Sequence, residues 1–233
     1  MSSSGVELTV ALPALDESEA LGQLLPRLRR ALEALGVPHE IVVVDGGSKD
    51  GTPETARRLG ARVIGQERPG FGQALRAGFE AAAGRWVLIM DADGSHPPET
   101  IKDLWALRER AGVVIGSRFA PGGSADMPGA RYAMSRLLNL VTGLLFAVPV
   151  RDASSGFRLY RAELVKGLDL RQRDFSAQQE ILALALSRGG AVAEVPFRYE
   201  PRLGGESKAR PLAWLASYCR MMARVASLRR GGG

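Results

Sequence analysis

Residues 85–98 read RWVLIMDADGSHPP, an uninterrupted apolar run that breaks abruptly into acids, glycine, serine and two prolines. An apolar run without alternation is what a strand buried on both faces requires. Asp, Gly and Pro then end it in a turn. The same pattern stands at residues 7–17, ELTVALPALDE, and at 40–52, EIVVVDGGSKDGT. Between these strands the period changes: residues 17–35 carry Leu21, Leu24, Leu25, Leu28, Leu32 and Leu35 on one helical face.

Working outward, residues 52–59, 72–83 and 98–110 are further helices, the last opening with proline and an acid as helix starts favour. Residues 61–64 and 113–116 are short strands. Strands that alternate with helices predict an α/β fold, a mostly parallel sheet flanked by helices. After Arg118 comes a loop rich in Gly and Pro, FAPGGSADMPG, then an apolar helix over 131–147. A strand at 157–160, a helix at 177–187, a strand at 191–199 and a terminal helix at 212–228 complete the expectation. No repeat or low-complexity linker divides the chain, so 1–233 is expected to form a single domain.

The 233 residues are 45% hydrophobic, enough for a sizeable core, and exclude a wholly disordered chain. The single cysteine, Cys219, excludes an intrachain disulfide, and no Cys/His cluster exists for zinc. The apolar stretch 137–150 falls short of a membrane span and contains Asn139 and Pro149. The first residues do not read as a signal peptide, so cytoplasmic residence is expected. Lys and Arg number 31 against 25 Asp and Glu, a formal net charge of +6. Such a balance suits nucleic acid, a membrane surface or a phosphate-bearing substrate.

In open parallel sheets ligands sit beyond the carboxyl ends of the strands. There this sequence places LPALDE, Asp45 and the Asp91-Ala92-Asp93-Gly94-Ser95 segment. On an extended chain, Asp91 and Asp93 point to one side about 6 to 7 Å apart. Facing carboxylates call for a cation, and a hard ion such as Mg²⁺ or Mn²⁺ takes oxygen ligands. The competing reading is a plain turn before Pro97 and Pro98. Asp45, ending a neighbouring strand, favours a site. The Gly70-Phe71-Gly72 stretch mimics part of a dinucleotide fingerprint, but Leu75 stands where a third glycine belongs; a loop that brings backbone near a ligand is the expectation.

These pieces resemble family 2 glycosyltransferases of GT-A fold, closest to the dolichyl-phosphate and polyprenyl-phosphate mannose synthases. The likeness runs from Val10 to about Lys208. It rests on Leu12-Pro13 with Asp16-Glu17, on Val44 through Thr52, on Met90 through Pro98, on Gly116-Ser117-Arg118-Phe119, on Asp152 with Ser155 through Arg161, on Glu194-Val195-Pro196, and on Arg202 with Gly205-Glu206-Ser207-Lys208. The resemblance implies a Rossmann-like sheet with a nucleotide-sugar half at 6–118, an acceptor half with C-terminal helices at 119–210, and a basic amphipathic terminal helix and tail at 211–233. It further implies that Pro13, Leu15, Glu17, Val43 and Asp45 hold the nucleoside. Asp91, Ala92 and Asp93 then meet ribose, diphosphate and metal, with Ser95 standing where some relatives place a metal-reaching glutamine. Arg118 contacts donor phosphate, Arg131 and Ser135 take the lipid phosphate, and Arg202 and Lys208 close over the diphosphate.

The implied reaction is metal-dependent, inverting transfer of a hexose to polyprenyl or dolichyl phosphate, with GDP-mannose preferred as donor and UDP-glucose the alternative. Because a phosphate monoester, with a second pKa of about 6, is largely dianionic at neutral pH, no protein base is needed. A soluble acceptor would instead need one, and Asp152 or Glu180 are the candidates. His96 reads either as a diphosphate contact or as a solvent-facing turn residue. Residues 211–230 mix Trp214 and Tyr218 with arginines, which suits either a helix lying on a membrane surface or a core-packed terminal helix with a solvated basic face; a membrane-anchoring partner subunit is the other route to a lipid. A nucleic-acid partner is disfavoured, since acids cluster at the expected ligand end of the sheet and no interleaved basic-aromatic platform suggests base stacking.

Overall fold

The computed structural model describes residues 5–127, 129–146 and 150–204, with backbone alone at 130, 131, 134 and 144–146. The expected terminal helix, Lys208 and Cys219 lie outside these residues.

Strand β1 (Leu8–Ala14) is the centre from which the sheet grows. Its Leu8, Val10 and Leu12 point to one face and Ala11 to the other, and all are buried. On one side β1 pairs in parallel with β2 (His39–Asp45), which pairs with β3 (Arg62–Gly65). On the other it pairs in parallel with β4 (Trp86–Ile89). The sheet continues through β7 (Arg158–Arg161) to β5 (Val113–Ser117) and β8 (Val192–Pro196). β7 runs antiparallel to both β4 and β5, so the seven-stranded order is β3-β2-β1-β4-β7-β5-β8. The strand order reverses between β1 and β4, which opens a crevice at their carboxyl ends.

Helix α1 (Ser18–Leu35) lays Leu21, Leu24, Leu25, Leu28 and Leu32 on one face of the sheet, each fully buried. Full burial of one such side chain contributes about 1.5–3 kcal/mol. Gly36 ends the helix in the left-handed conformation, φ 67°. α2 (Thr52–Arg58) follows β2, and α3 (Phe71–Ala81) covers the opposite face with Leu75 and Phe79. α4 (Ile101–Ala106), α5 (Gly129–Phe146), α6 (Ala162–Val165) and α7 (Ala177–Ser187) complete the layers.

Two elements differ from expectation. The helix expected at 98–110 is a 3₁₀ turn at Pro98–Thr100 and then α4. Past Ala106 the bonds tighten to the three-residue type, Leu107 to Leu104 and Arg108 to Trp105, which ends the helix. The strand expected at 191–199 breaks at Pro196: the Phe197 N–H bonds the Ser117 carbonyl, and β9 (Arg198–Tyr199) joins β6 (Ser124–Ala125) in a second, two-stranded sheet. The Gly70 loop starts α3, and its glycines admit a neighbouring segment: a Cβ on Gly70 or Gly72 would collide with the backbone of Arg173 or Gln172. Their small size lets that chain segment pass.

Candidate active site

Two loops beyond β1 and β2 are stitched together. The Gly46 N–H bonds the Ala14 carbonyl at 2.8 Å, Asp16 N–H the Ser48 hydroxyl at 2.9 Å, and Lys49 N–H the Asp16 carboxylate at 2.8 Å. Glu17 N–H bonds Thr52 and Ser18 N–H bonds Asp50. Asp16 holds φ 52°, a left-handed conformation that its short polar side chain tolerates and its two bonds to the 46–52 loop fix. Asp45 accepts from the Gly47 and Ser48 N–H groups, so its carboxylate is oriented by its own turn. Pro13 lies near the end of β1 opposite Val44, just before the loop pair, and Leu15 is 40% exposed at its rim. Val43 is fully buried in the core under α1. It therefore does not face an open pocket, contrary to the expectation, because β2 is covered on both faces, with Val42 and Val44 equally buried on the other side.

The acidic segment is a turn, not the extended chain assumed from spacing: β4 ends at Ile89, and Gly94 takes φ 79°. The turn gives the two acids different surroundings. Asp93 is 3% exposed and its Oδ1 accepts from both the Ser95 N–H, at 2.9 Å, and the Ser95 hydroxyl, at 2.6 Å. Its Oδ2 faces Arg202 at 3.1 Å. Asp91 keeps its carboxylate partly exposed, yet desolvation pushes its pKa above the usual carboxylate range; Asp93 adds to this, whereas His96, Arg202 and Arg118 oppose it. Ala92, between them, is buried and presents only its backbone.

His96 is neither solvent-facing nor at the surface: it is 2% exposed. Its ring stacks on Phe157, centroids 5.0 Å apart, and meets Phe197 and Tyr199 edge-on. Nδ1 accepts the Asp91 N–H at 3.0 Å, which leaves the proton on Nε2, 3.8 Å from Asp91 Oδ2. Burial lowers its pKa, so the imidazole stays neutral near pH 7. The Tyr199 hydroxyl joins the same cluster through the Ser95 side chain.

Arg118 follows β5 directly and donates to Asp152 from its backbone N–H at 3.0 Å, from Nε at 2.8 Å and from Nη2 at 2.7 Å. It also donates to Ser154. Desolvation alone would lower the pKa of Arg118, but the bonds and charge of Asp152 outweigh it and raise the value. Asp152 is fully buried, and Asn139 of α5 bonds both it and Ser154. Glu180 is fully buried as well and accepts from the Arg171 and Gln172 N–H groups. Both candidate bases thus hold other residues in place.

Arg131, Ser135 and Asn139 recur along α5 at four-residue spacing. Ser135 is half-buried, and the Arg131 side chain lies outside the described residues. Three further residues have roles that the sequence alone did not assign. Asn139 carries no motif signal. Arg158, fully buried, donates to the Ala153 and Gln178 carbonyls and to the Tyr160 hydroxyl. Gly156 has no side chain because a Cβ would sit 3.1 Å from Asp91 Oδ1, 3.2 Å from Gln178 Nε2 and 3.4 Å from His96.

Among the described residues no group of three or more His, Cys, Asp or Glu side chains is placed to hold a metal. Asp91, Asp93 and Ser95 supply oxygen donors, which fits an ion that takes one or two carboxylates and fills its shell with water and phosphate. The Arg202 guanidinium against Asp93 shows that this position already accommodates positive charge.

A family model described as Glycosyl transferase family 2 matches residues 9–168. A dolichol-phosphate mannosyltransferase of Pyrococcus furiosus is 35% identical over 87% of this chain, which spans 59% of that relative's length. A dolichyl-phosphate hexose transferase of Haloferax volcanii is 33% identical over 94% of this chain and 93% of its own. A polyprenol monophosphomannose synthase of Mycolicibacterium smegmatis is 35% identical over 85% of this chain and 79% of its own. In fold, the chain is similar to glucosyl-3-phosphoglycerate synthase from Mycobacterium tuberculosis in complex with phosphoglyceric acid, TM-score 0.71 at 23% identity over 97% of this chain and 81% of that one. The same enzyme in complex with Mn²⁺, uridine diphosphate and glucosyl-3-phosphoglycerate gives TM-score 0.68 at 24% identity, covering 98% and 81%.

Proposed function

We propose, from the premise that this chain belongs to glycosyl transferase family 2, that it transfers a hexose from a nucleotide sugar to polyprenyl phosphate. The names of the three relatives support the lipid-phosphate acceptor. One observation of the site carries the reading: the charges of Asp93, Arg202 and Arg118 all act on Asp91, while the carboxylates of both candidate bases are engaged in holding other residues.

The nucleoside lies over the joined 13–17 and 45–52 loops, with Leu15 against the base and Asp45 and Glu17 as polar contacts. Asp91, Ala92 and Asp93 meet ribose and diphosphate, and Asp91, Asp93 and Ser95 hold Mg²⁺ or Mn²⁺. The bound ion supplies Lewis-acid stabilisation of the charge that develops on the leaving diphosphate. Arg118, fixed by Asp152 and Ser154, presents positive charge to the same phosphates, and Arg202 and Lys208 add to it. The acceptor phosphate is held by Arg131 and Ser135 on α5. Its oxygen attacks the anomeric carbon as a dianion, so no residue has to remove a proton, and attack opposite the diphosphate inverts the configuration. GDP-mannose is the preferred donor and UDP-glucose the alternative.

No described helix is long and apolar enough to cross a membrane. Leu137 and Leu140 on α5 are 59% and 60% exposed, beside the acceptor residues. That stripe, with the basic 211–230 segment, supports peripheral attachment at the cytoplasmic face, directly or through an anchoring subunit. Asp93→Ala tests the metal role: turnover with Mn²⁺ or Mg²⁺ is expected to vanish, and retained activity would exclude it.

A further inference from the structure

Residues 200–204 lie across the acidic turn as a strap. Glu200 N–H bonds the Ser95 carbonyl at 3.0 Å, and Leu203 N–H bonds the Asp93 carbonyl at 2.9 Å. The Leu203 side chain covers Gly94, where any Cβ would collide with it. These contacts fix the register, so Arg202, between them, sets its guanidinium on Asp93 Oδ2 at 3.1 Å. The Glu200 side chain is in turn anchored by Arg27 at 3.5 Å, which also pairs with Glu99.

The two oxygens of Asp93 are therefore divided. Oδ1 is engaged twice by Ser95, and Oδ2 by Arg202. A hard divalent ion needs a carboxylate oxygen at about 2.1 Å. It must share or take the oxygen that the guanidinium holds, and two cations on one oxygen repel.

We propose that Arg202 is an internal counter-cation of the metal position, and that divalent-ion entry exchanges it off Asp93 and frees it for the donor diphosphate. This deepens the metal-dependent reading above and rests on it. The bare carboxylate is never left unpaired in its buried setting, and the released guanidinium, 27% exposed and still tethered through the strap, meets the next anion to arrive. Metal and nucleotide diphosphate thereby bind with positive coupling.

The test measures Mn²⁺ binding to the full chain without donor, by electron paramagnetic resonance of the free ion. R202Q should bind Mn²⁺ about tenfold more tightly, ~1.4 kcal/mol. Guanidinium chloride at a sub-denaturing concentration should then weaken Mn²⁺ binding to R202Q, whereas sodium chloride of equal ionic strength should do so much less. Equal affinity of R202Q and the parent overturns the exchange. So does equal competition by the two salts, which would reduce Arg202 to a general positive field. If the parent and R202Q both bind no Mn²⁺, or D93A binds it as the parent does, the metal reading itself fails and the exchange with it.

Discussion

Replacing Asp152 by Asn separates a positioning role from catalysis by a base. The carboxylate is fully buried and accepts three bonds from Arg118, one from Asn139 and one from Ser154. Asn keeps the shape, removes the charge, and places an NH₂ among groups that already donate. Arg118, with 12% of its side chain exposed, then lacks its counter-ion. Removing one partner of a buried pair costs about 3–5 kcal/mol. Ser154 and the residual exposure of Arg118 place this case at the lower end, about 3 kcal/mol. For a chain of this size each kcal/mol moves Tm by about 2–4 °C, so Asp152→Asn should melt roughly 6–12 °C lower. Thermal unfolding and steady-state kinetics together read the outcome. The donor KM should rise as Arg118 loses its orientation, while the residual activity keeps the parent's pH profile. A variant as stable as the parent that loses kcat and the acidic limb of its pH profile would refute the reasoning and restore Asp152 as a base.

Arg131→Ala should raise the KM for lipid phosphate more than that for donor; an unchanged acceptor dependence would remove this residue from the acceptor site. Gly156→Ala should lower kcat on the order of tenfold by displacing the Asp91 carboxylate and the Gln178 amide, with normal turnover counting against the packing described. Glu40 tests acid stability. Burial alone would raise its pKa, but bonds from the Ala83 N–H, Thr9 and Arg62 outweigh it, and the folded value lies below the ordinary 4.5. A depressed carboxyl contributes stability above its unfolded pKa and loses it as pH falls through the folded one. Glu40→Gln should accordingly flatten the fall of Tm below about pH 4.5, and an unaltered slope would contradict that origin.

The carboxyl ends of β1, β2 and β4 were legible because buried parallel strands leave apolar runs that polar turns interrupt. β7 was visible as a strand, but four residues, RLYR, carry no sign of its direction. Spacing placed Asp91 and Asp93 together yet could not show that Ser95 and Arg202 turn one inward while the other stays partly open. The burial of Arg158 and Asp152 was not legible, although both residues were named, because charge is ordinarily taken as surface. Their partners, the Gln178 carbonyl and Arg118, stand 20 and 34 residues away. The strap over Gly94 was hidden for the same reason: its register depends on contacts made only in the folded chain.

The central claim is tested most directly by incubating the purified chain with Mn²⁺, a short polyprenyl phosphate and, in turn, GDP-mannose, UDP-glucose and UDP-N-acetylglucosamine, and following radiolabelled sugar into lipid. A single donor should yield a polyprenyl-phosphate hexose and its nucleoside diphosphate, with GDP-mannose the expected one. Release of sugar to water or to a soluble hydroxyl compound, with none appearing in lipid from any donor, would contradict the account.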